Sequence, residues 1–593
     1  MLEEIKELSP EMMMLLNNKE SGYSYRQRRH DDWEENYTLY RDKVITNRLI
    51  QRQSVNLPIM KMSVRTLLKD VDDMPDLYYE NLDDDKQAEI FKNEYWKITV
   101  DENNMELNDI VDKRQVFLFG RTFDQWQILD GKIKQTIQDP QDMLVSRFVD
   151  PTNLHTSRFL IHQHVFVPLS SLERNPDYDK SAINRLKKYY ASAMGLVKAA
   201  DNQSALVEKN QKMADMGLED VDNPVLGETY VELTLHFVFR DNEKDENGDL
   251  LDEQIWLYVE AEQMEILMKK PLEQVIGVTK DHFWRNHYPY ASWADDLERQ
   301  DFWSDSTGDI IRTPNKVANV WFSQEVERRT LSNFGMNIYD SGMEGFTPGS
   351  YNPAAWGWYG MPVGEGKTLK DVYQKVEIPA NDGNLESINF LMGIVERATG
   401  ATSTQQGATD ERQITLGEIK FALVEAKERI KGMSKFYTPA WEQRGLIFCK
   451  LIEAAPDKLD AVKIYKRGKN TDSIYSREIE PKDWMTKSGY RVKVWSMDEK
   501  NTNDTNKLQK LSYSKSIIPN NPKLDEIVQR KSLEFAGLTP DEINEIMEIE
   551  QVKREALASQ MAAIGGAMGG GMGVDPSLNM QPGMTQQASP MVN

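Results

Sequence analysis

Residues 335–383 constrain this chain more than any other stretch. They include "FTPGSYNPAAWGWYGMPVGEGKT", whose glycines, prolines and tryptophans suit neither a helix nor a strand. Helical signals stand on both sides. Before it, Thr313-Pro314 reads as a cap with proline at the first helical position, opening "PNKVANVWFSQEVERRTLSNF". After it, "NLESINFLMGIVERAT" reads as a second helix ending at Gly400. The chain therefore runs helix, irregular excursion, helix.

Part of the excursion imitates a phosphate-binding loop. In "GMPVGEGKT" the ending Gly366-Lys367-Thr368 is present, but the first glycine belongs at 361, which is Met361. Gly360 leaves five residues between the glycines instead of four. No aliphatic strand precedes the loop, and "LKDVYQKVEIP" after it ends in a strand-like run rather than a long helix. The spacing argues against nucleotide binding. Trp356, Trp358 and Tyr359 are too apolar for a free loop and point to burial at a subunit or partner surface.

Beyond the second helix lies "GATSTQQGATDERQ", a loop of small polar residues. Thr415 and Glu418 then form a capping box. Ile419, Leu423, Ala426, Ile430 and Met433 repeat at alternating spacings of four and three, which predicts a helix–helix seam. Pro439 should kink or break that helix before "AWEQRGLIFCKLIEAA" resumes it. Strand-like pieces "AVKIYKRG" and "YRVKVWSM" follow, then two helical segments, the last starting at "LTPDEINEIMEIEQ". From about 563 the chain is Gly, Met, Gln and Pro, which predicts disorder.

The N-terminal half mixes both periods. Residues 20–70 read as helical, with Trp33, Tyr37 and Tyr40 on one face and Leu57, Met60, Val64 and Leu67 on another segment's face. The basic run Arg26 to His30 reads as a solvated helix end, with a partner contact as the lesser reading. From about 90 to 170 the pattern predicts strands, including "RQVFLFGRTFDQWQIL" and "RFLIHQHVFVPL" about the turn Val149 to Arg158. Residues 172–215 read as helical. "YVELTLHFVFR" alternates, with Val231, Leu233, Leu235, Phe237 and Phe239 on one face of a half-buried strand. Its partner is "EQIWLYVEA". The acidic loop between them lacks a calcium loop's last carboxylate, since counting from Glu243 puts Gln254 at position twelve. Asn247-Gly248 reads there as a hairpin turn.

Composition narrows the function. A length of 593 residues predicts several domains. No run of eighteen apolar residues occurs, and the N-terminus lacks the pattern of a secretory signal, so the expectation is folding in the cytoplasm with no membrane contact. The single Cys449 excludes an internal disulfide framework. A net charge of −23 argues against a conventional nucleic-acid binder, but not against a surface that DNA slides past. His162 and His164, two apart on a strand, read as structural, and His282 and His287 fall off one helix face. No hydrolase, zincin or dinucleotide motif is present, so no catalytic, metal or cofactor site is expected.

This order of elements resembles the portal proteins of tailed bacteriophages, in a podovirus-like form, over roughly residues 20 to 560. "RRHDDWEENYTLYRD" and "NLPIMKMSVRTLLKDV" are similar to the family's opening helices, and "FGRTFDQWQIL" with "RFVDPTNLHTSRFLIHQHVFVPLSSLE" to its wing strands. The resemblance implies an α+β multidomain fold. Its parts would be a mixed α/β wing (1–305), stem helices (306–334 and 384–399) and an irregular clip (335–383). A tunnel loop (400–413) and a kinked long helix beneath the crown (414–454) would follow. Connecting strands (455–505), a helical crown (506–562) and a disordered tail (563–593) would complete the chain. It further implies a non-enzymatic ring, usually of twelve subunits, at one capsid vertex of the virion, assembled in the host cytoplasm. Duplex DNA would pass through its channel without sequence specificity. Large terminase, a head–tail adaptor, and major capsid and scaffold proteins would be its partners. On that reading Thr402, Ser403, Thr404, Gln405 and Gln406 face DNA. Arg397 and Arg412 flank them, as phosphate contacts or as ordinary helix-end charges. Tyr351, Trp356, Trp358, Tyr359 and Lys367 would meet partners at the clip. Two other readings are a nucleotide-hydrolysing motor component and another virion scaffold protein of the tail or baseplate.

Overall fold

A computed structural model of the chain describes residues 9–43, 55–70, 74–82, 86–217, 225, 227–240, 253–297, 301–334, 336–339, 366, 368, 370, 373–376, 383–399, 436–467, 474–479, 489–495, 528, 529 and 546. The fold is mixed α/β, with antiparallel sheets and many helices. The chain divides into two compact units, one comprising 1–464 and 477–499, the other 465–476 and 500–593. The first carries nearly all the described residues.

Ser9 accepts a bond from the Met12 amide at 3.2 Å and Pro10 takes the first position, so helix α1 (Pro10–Tyr40) starts there. Trp33 is buried on it, edge-on to Trp303 at 5.3 Å and Phe119 at 6.2 Å. The basic run is not a solvated end. It lies mid-helix, with Arg26 buried and donating to the carbonyls of Gln141 and Met143, and Arg29 paired with Asp305 and Asp309. Helix α2 (Ile59–Asp70) buries Met60, Val64 and Leu67 as the spacing predicts.

After strand β1 (Asp76–Asn81) the expected strands begin later than the sequence suggests. Residues from 86 form helices α3 (Lys86–Glu102) and α4 (Met105–Phe119), so "RQVFLF" is the end of a helix. Val116, Phe117, Leu118 and Phe119 are all buried. A helix turn covered on every side loses its period and reads like a strand. Gly120, at φ 81, stops the helix in the left-handed region. Strands β2 (Arg121–Leu129) and β3 (Lys132–Gln138) follow as a hairpin, joined on the other side of β2 by β9 (Tyr290–Ala294).

The larger sheet has the order β4–β5–β6–β7–β8, all antiparallel. It is built from β4 (Met143–Val145), β5 (Phe159–Pro168), β6 (Tyr230–Arg240), β7 (Gln254–Ala261) and β8 (Glu265–Pro271). Strand β6 is central, and Thr234, His236 and Val238 are buried as well as Val231, Leu233 and Phe237. The half-buried expectation is therefore corrected: both faces are covered. Helices α5 (Leu169–Arg174), α6 (Lys180–Tyr190) and α7 (Ala193–Met216) lie between β5 and β6 in sequence, and a short α8 (Leu272–Ile276) follows β8.

Helix α9 (Thr307–Phe334) starts before Thr313, and Pro314 sits inside it. The start is instead set by Ser306, whose hydroxyl accepts from the Asp309 amide at 3.1 Å while Asp309 accepts from the Ser306 amide at 2.9 Å. This reciprocal box closes the first turn and makes the Thr313 cap unnecessary. Strands β10 (Met336–Tyr339) and β11 (Tyr373–Val376) follow, then helix α10 (Gly383–Thr399) and helical residues 436–454, which include Pro439. Strands β12 (Val462–Arg467), β13 (Ile474–Ile479) and β14 (Tyr490–Trp495) come last, and β14 pairs antiparallel with β1. The expected hairpin turn at Asn247-Gly248, the seam over 419–433, and the C-terminal helical and tail segments lie outside the described residues, apart from helical positions 528, 529 and 546.

Candidate functional site

Strands β10 and β11 pair antiparallel from Met336↔Val376 to Tyr339↔Tyr373. The chain thus leaves α9 through one strand and returns to α10 through its neighbour. Helix α10 packs along α9, with Ile388 and Val395 buried in the core that holds Ile311 and Ala318. Helix–ribbon–helix is the geometry around the excursion that the sequence singled out.

The near end of α9 is tied to the body. Asp295, just past β9, accepts both the amide and the hydroxyl of Thr307 at 2.6 Å. Burial pushes its carboxyl up to about 6, against the opposing bonds from Thr307. Asn36 of α1 donates to the Leu118 carbonyl and to Asp309, each at 3.0 Å. Arg312 reaches Asp32 at 2.7 Å and Asp309 at 3.0 Å, and Lys316 reaches Glu35 at 3.0 Å. Farther along, Arg328 and Arg329 both turn onto Glu325, at 2.6 and 2.7 Å. The bond from Arg328, then that from Arg329, holds the Glu325 carboxyl down to about 2.

The helix over 436–454 is fastened differently. Arg444 is fully buried between Asp112 of α4, at 2.6 Å, and Asp124 of β2, at 3.1 Å. Trp293 donates to Asp112 at 2.7 Å, and Trp126 and Gln135 donate to Asp124 at 2.6 and 3.0 Å. Burial raises the Asp124 pKa while Arg444 opposes it. Burial alone would lower Arg444, yet Asp112 and Asp124 hold it above its ordinary value. Two turns earlier Tyr437 donates to Asp109, which also pairs with Lys113 at 2.5 Å. Sequence reasoning missed this cluster. Arg444 is 332 residues from Asp112 and 320 from Asp124 along the chain, and no local pattern joins it to them.

Of the residues that sequence analysis marks for function, Arg397 lies on the exposed side of α10 in its last turn. Tyr351, Trp356, Trp358, Tyr359, Lys367, Thr402, Ser403, Thr404, Gln405, Gln406 and Arg412 lie outside the described residues, so no two marked residues are brought together. Gly366, with φ 84, and Thr368 are described and exposed. Strand β11 begins five residues after Thr368, which leaves no room for the long helix that a phosphate loop opens onto.

The histidines serve the fold. His162 is buried and bonded to the Tyr290 hydroxyl at 3.0 Å, whereas His164 stands in a bulge at φ 56 and pairs with Glu232 at 2.8 Å. The bulge breaks the alternation, so the two do not share the face that the sequence suggests. His282 meets Glu273 at 2.7 Å, and His287 stacks on Phe283 at 3.9 Å. Among the described residues no group of three or more His, Cys, Asp or Glu is placed to hold a metal ion. Cys449 is buried, and burial pushes its thiol up to about 12. Among the described residues no helix is long and apolar enough to cross a membrane. No protein-family model and no curated protein matches the chain.

Proposed function

We propose that this chain is the subunit of a portal-like ring, a non-enzymatic channel for duplex DNA at one capsid vertex. The observation that carries the reading is the helix–ribbon–helix arrangement. Helices α9 and α10 pack on each other, and the paired strands β10 and β11 lead out of one and into the other. On this reading the pair would be the stem, and the aromatic excursion between its strands would be where a packaging terminase and a head–tail adaptor dock. The arginines at the stem's far end support the same reading, because Arg328 and Arg329 are both engaged by Glu325 rather than offered to phosphates. A duplex passing these two arginines would meet cations already engaged by a carboxylate, and the weaker phosphate contact would let it slide.

Electron microscopy of the purified full chain tests the reading. Closed rings with a central channel are expected, and a stable monomer or an open filament overturns it. In assembled heads, removing Thr402 to Gln406 should leave ring yield unchanged and lower the amount of DNA retained. Normal retention with intact rings would remove these residues from the channel.

A further inference from the structure

Helices α6 and α7 meet in a tight corner at Ala191 and Ser192. Ser192 caps α7 by accepting from the Gly195 amide at 3.2 Å. A Cβ on Gly195 would fall 2.2 Å from the Tyr189 carbonyl oxygen, so only glycine allows this approach. The corner projects apolar side chains into solvent: Met194 is 78% exposed, and Leu196 and Val197 are each 63% exposed. Residues 180–200 also carry five cations, Lys180, Arg185, Lys187, Lys188 and Lys198, and no acid. Taking these five from the net charge of −23 leaves −28 on the rest of the chain. Arg185, Lys187 and Lys198 pair with Glu265, Glu173 and Glu232. Lys188 is exposed on the corner itself. A basic, apolar knob on so acidic a chain is complementary to that chain's own surface.

A matching receptor lies at the other end of α7. There Gly217 lines a cleft of about 320 Å³ together with Glu102, Asn103, Leu107, Lys134 and Thr136. Beside the cleft, Leu107 is 52% exposed and Ile110, one turn on, is 43% exposed. Residues 98–112 hold five acids and no Lys or Arg. Asp101, Glu102 and Glu106 of these are on the surface, while Asp109 and Asp112 face inward. Lys132 pairs with Glu102 at 2.6 Å and Lys134 lines the cleft, which leaves the exposed Asp101 and Glu106, next in sequence to the lining residues Glu102 and Leu107, as the acidic lip beside it.

We infer that the α6–α7 knob of one copy docks in the α3–α4 cleft of a second copy. Met194, Leu196 and Val197 cover Leu107 and Ile110, and Lys188 meets the acidic lip. Knob and cleft stand at opposite ends of the 24-residue α7, which is roughly 36 Å long at 1.5 Å per residue. Their pairing is head-to-tail, so each copy added offers a fresh knob or cleft to the next, and the contact closes into a ring if the rotation allows. The inference deepens the ring reading and rests on it only for closure.

Two paired variants of the full chain test it by light scattering and sedimentation. The first replaces Met194→Asp and Leu196→Asp; the second replaces Leu107→Asp and Ile110→Asp. Each alone should be monomeric with an unchanged thermal midpoint. Their equimolar mixture should form dimers and nothing larger, because one intact knob and one intact cleft remain. Lys188→Glu and Glu106→Lys, which leave the apolar side chains in place, should each weaken assembly about fivefold. Wild-type assembly by either paired variant, a mixture that stays monomeric, or a wild-type chain that never associates overturns the contact. Rings that neither paired variant disrupts would overturn the contact and leave the ring reading standing. Open filaments that both abolish would do the reverse.

Discussion

Helix 436–454 is fastened to α4 and β2 by charge taken out of water, whereas helix α9 is fastened to α1 and to Asp295 beyond β9 by a cap and a set of half-exposed ion pairs. Arg444 lies between Asp112 and Asp124 with three further donors on the same carboxylates. At α9 the Ser306–Asp309 box and Asp295 hold the first turn, while Arg312 and Lys316 reach α1 at the surface. The difference lies in the consequence of failure. A surface pair that opens is replaced by water and loses little. A buried cation that is removed strands its carboxylates where nothing replaces it.

The largest effect is therefore expected from Arg444→Met. It should lower unfolding free energy by about 3–5 kcal/mol in denaturant titrations. A loss below about 1 kcal/mol would mean that water enters the cluster, and the contrast between the two helices would collapse.

The second effect is a pH dependence. The folded pKa of Asp295 is raised to about 6, above the ordinary value of 3.8. The folded chain then binds the proton more tightly than the unfolded one between these values. This contribution to stability is complete below pH 4, falls as pH rises, and is gone above about 6. The shift corresponds to about 3 kcal/mol. Asp295→Asn should abolish this fall, read as the difference between the two proteins' stability profiles. Parallel profiles would show that Asp295 is hydrated in solution.

Smaller is Ser306→Ala, expected to cost about 1 kcal/mol as other N-cap losses do. Hydrogen exchange should report it as faster exchange confined to the first turn of α9. Smallest is Lys316→Ala, expected within about 0.5 kcal/mol and weaker still in high salt. A loss equal to that of Arg444→Met would put the α9 pairs in the buried class and sharpen the comparison the other way.

Local rules made much of this fold legible. Spacing marked Met60, Val64 and Leu67 as one buried face, and alternation located β6 and its neighbour β7. The misplaced elements have separate physical causes. "RQVFLF" lost its helical period because burial on all sides favours apolar residues everywhere. Thr313-Pro314 looked like a start because a proline inside a helix and one at its first turn carry the same signature, while the true start, Ser306 with Asp309, was in plain view. Pairing of β1 with β14 and of Arg444 with two aspartates depends on contacts across the whole chain, which no window of sequence contains. Of the candidate site, the two helices could be anticipated from the breaks around the excursion, whereas the pairing of β10 with β11 could not, because 335–383 reads as irregular. The buried anchor of helix 436–454 could not.

The ribbon has a consequence for how such a chain changes over time. Tyr339 and Tyr373 are cross-strand partners, so the two ends of the intervening segment stand about 5 Å apart. A segment held at adjacent ends behaves as a cassette. Lengthening it adds only a slowly growing closure entropy, about 0.6 kcal/mol for each doubling. Selection can therefore change the length of the segment between these tyrosines at little cost to the two strands that hold its ends.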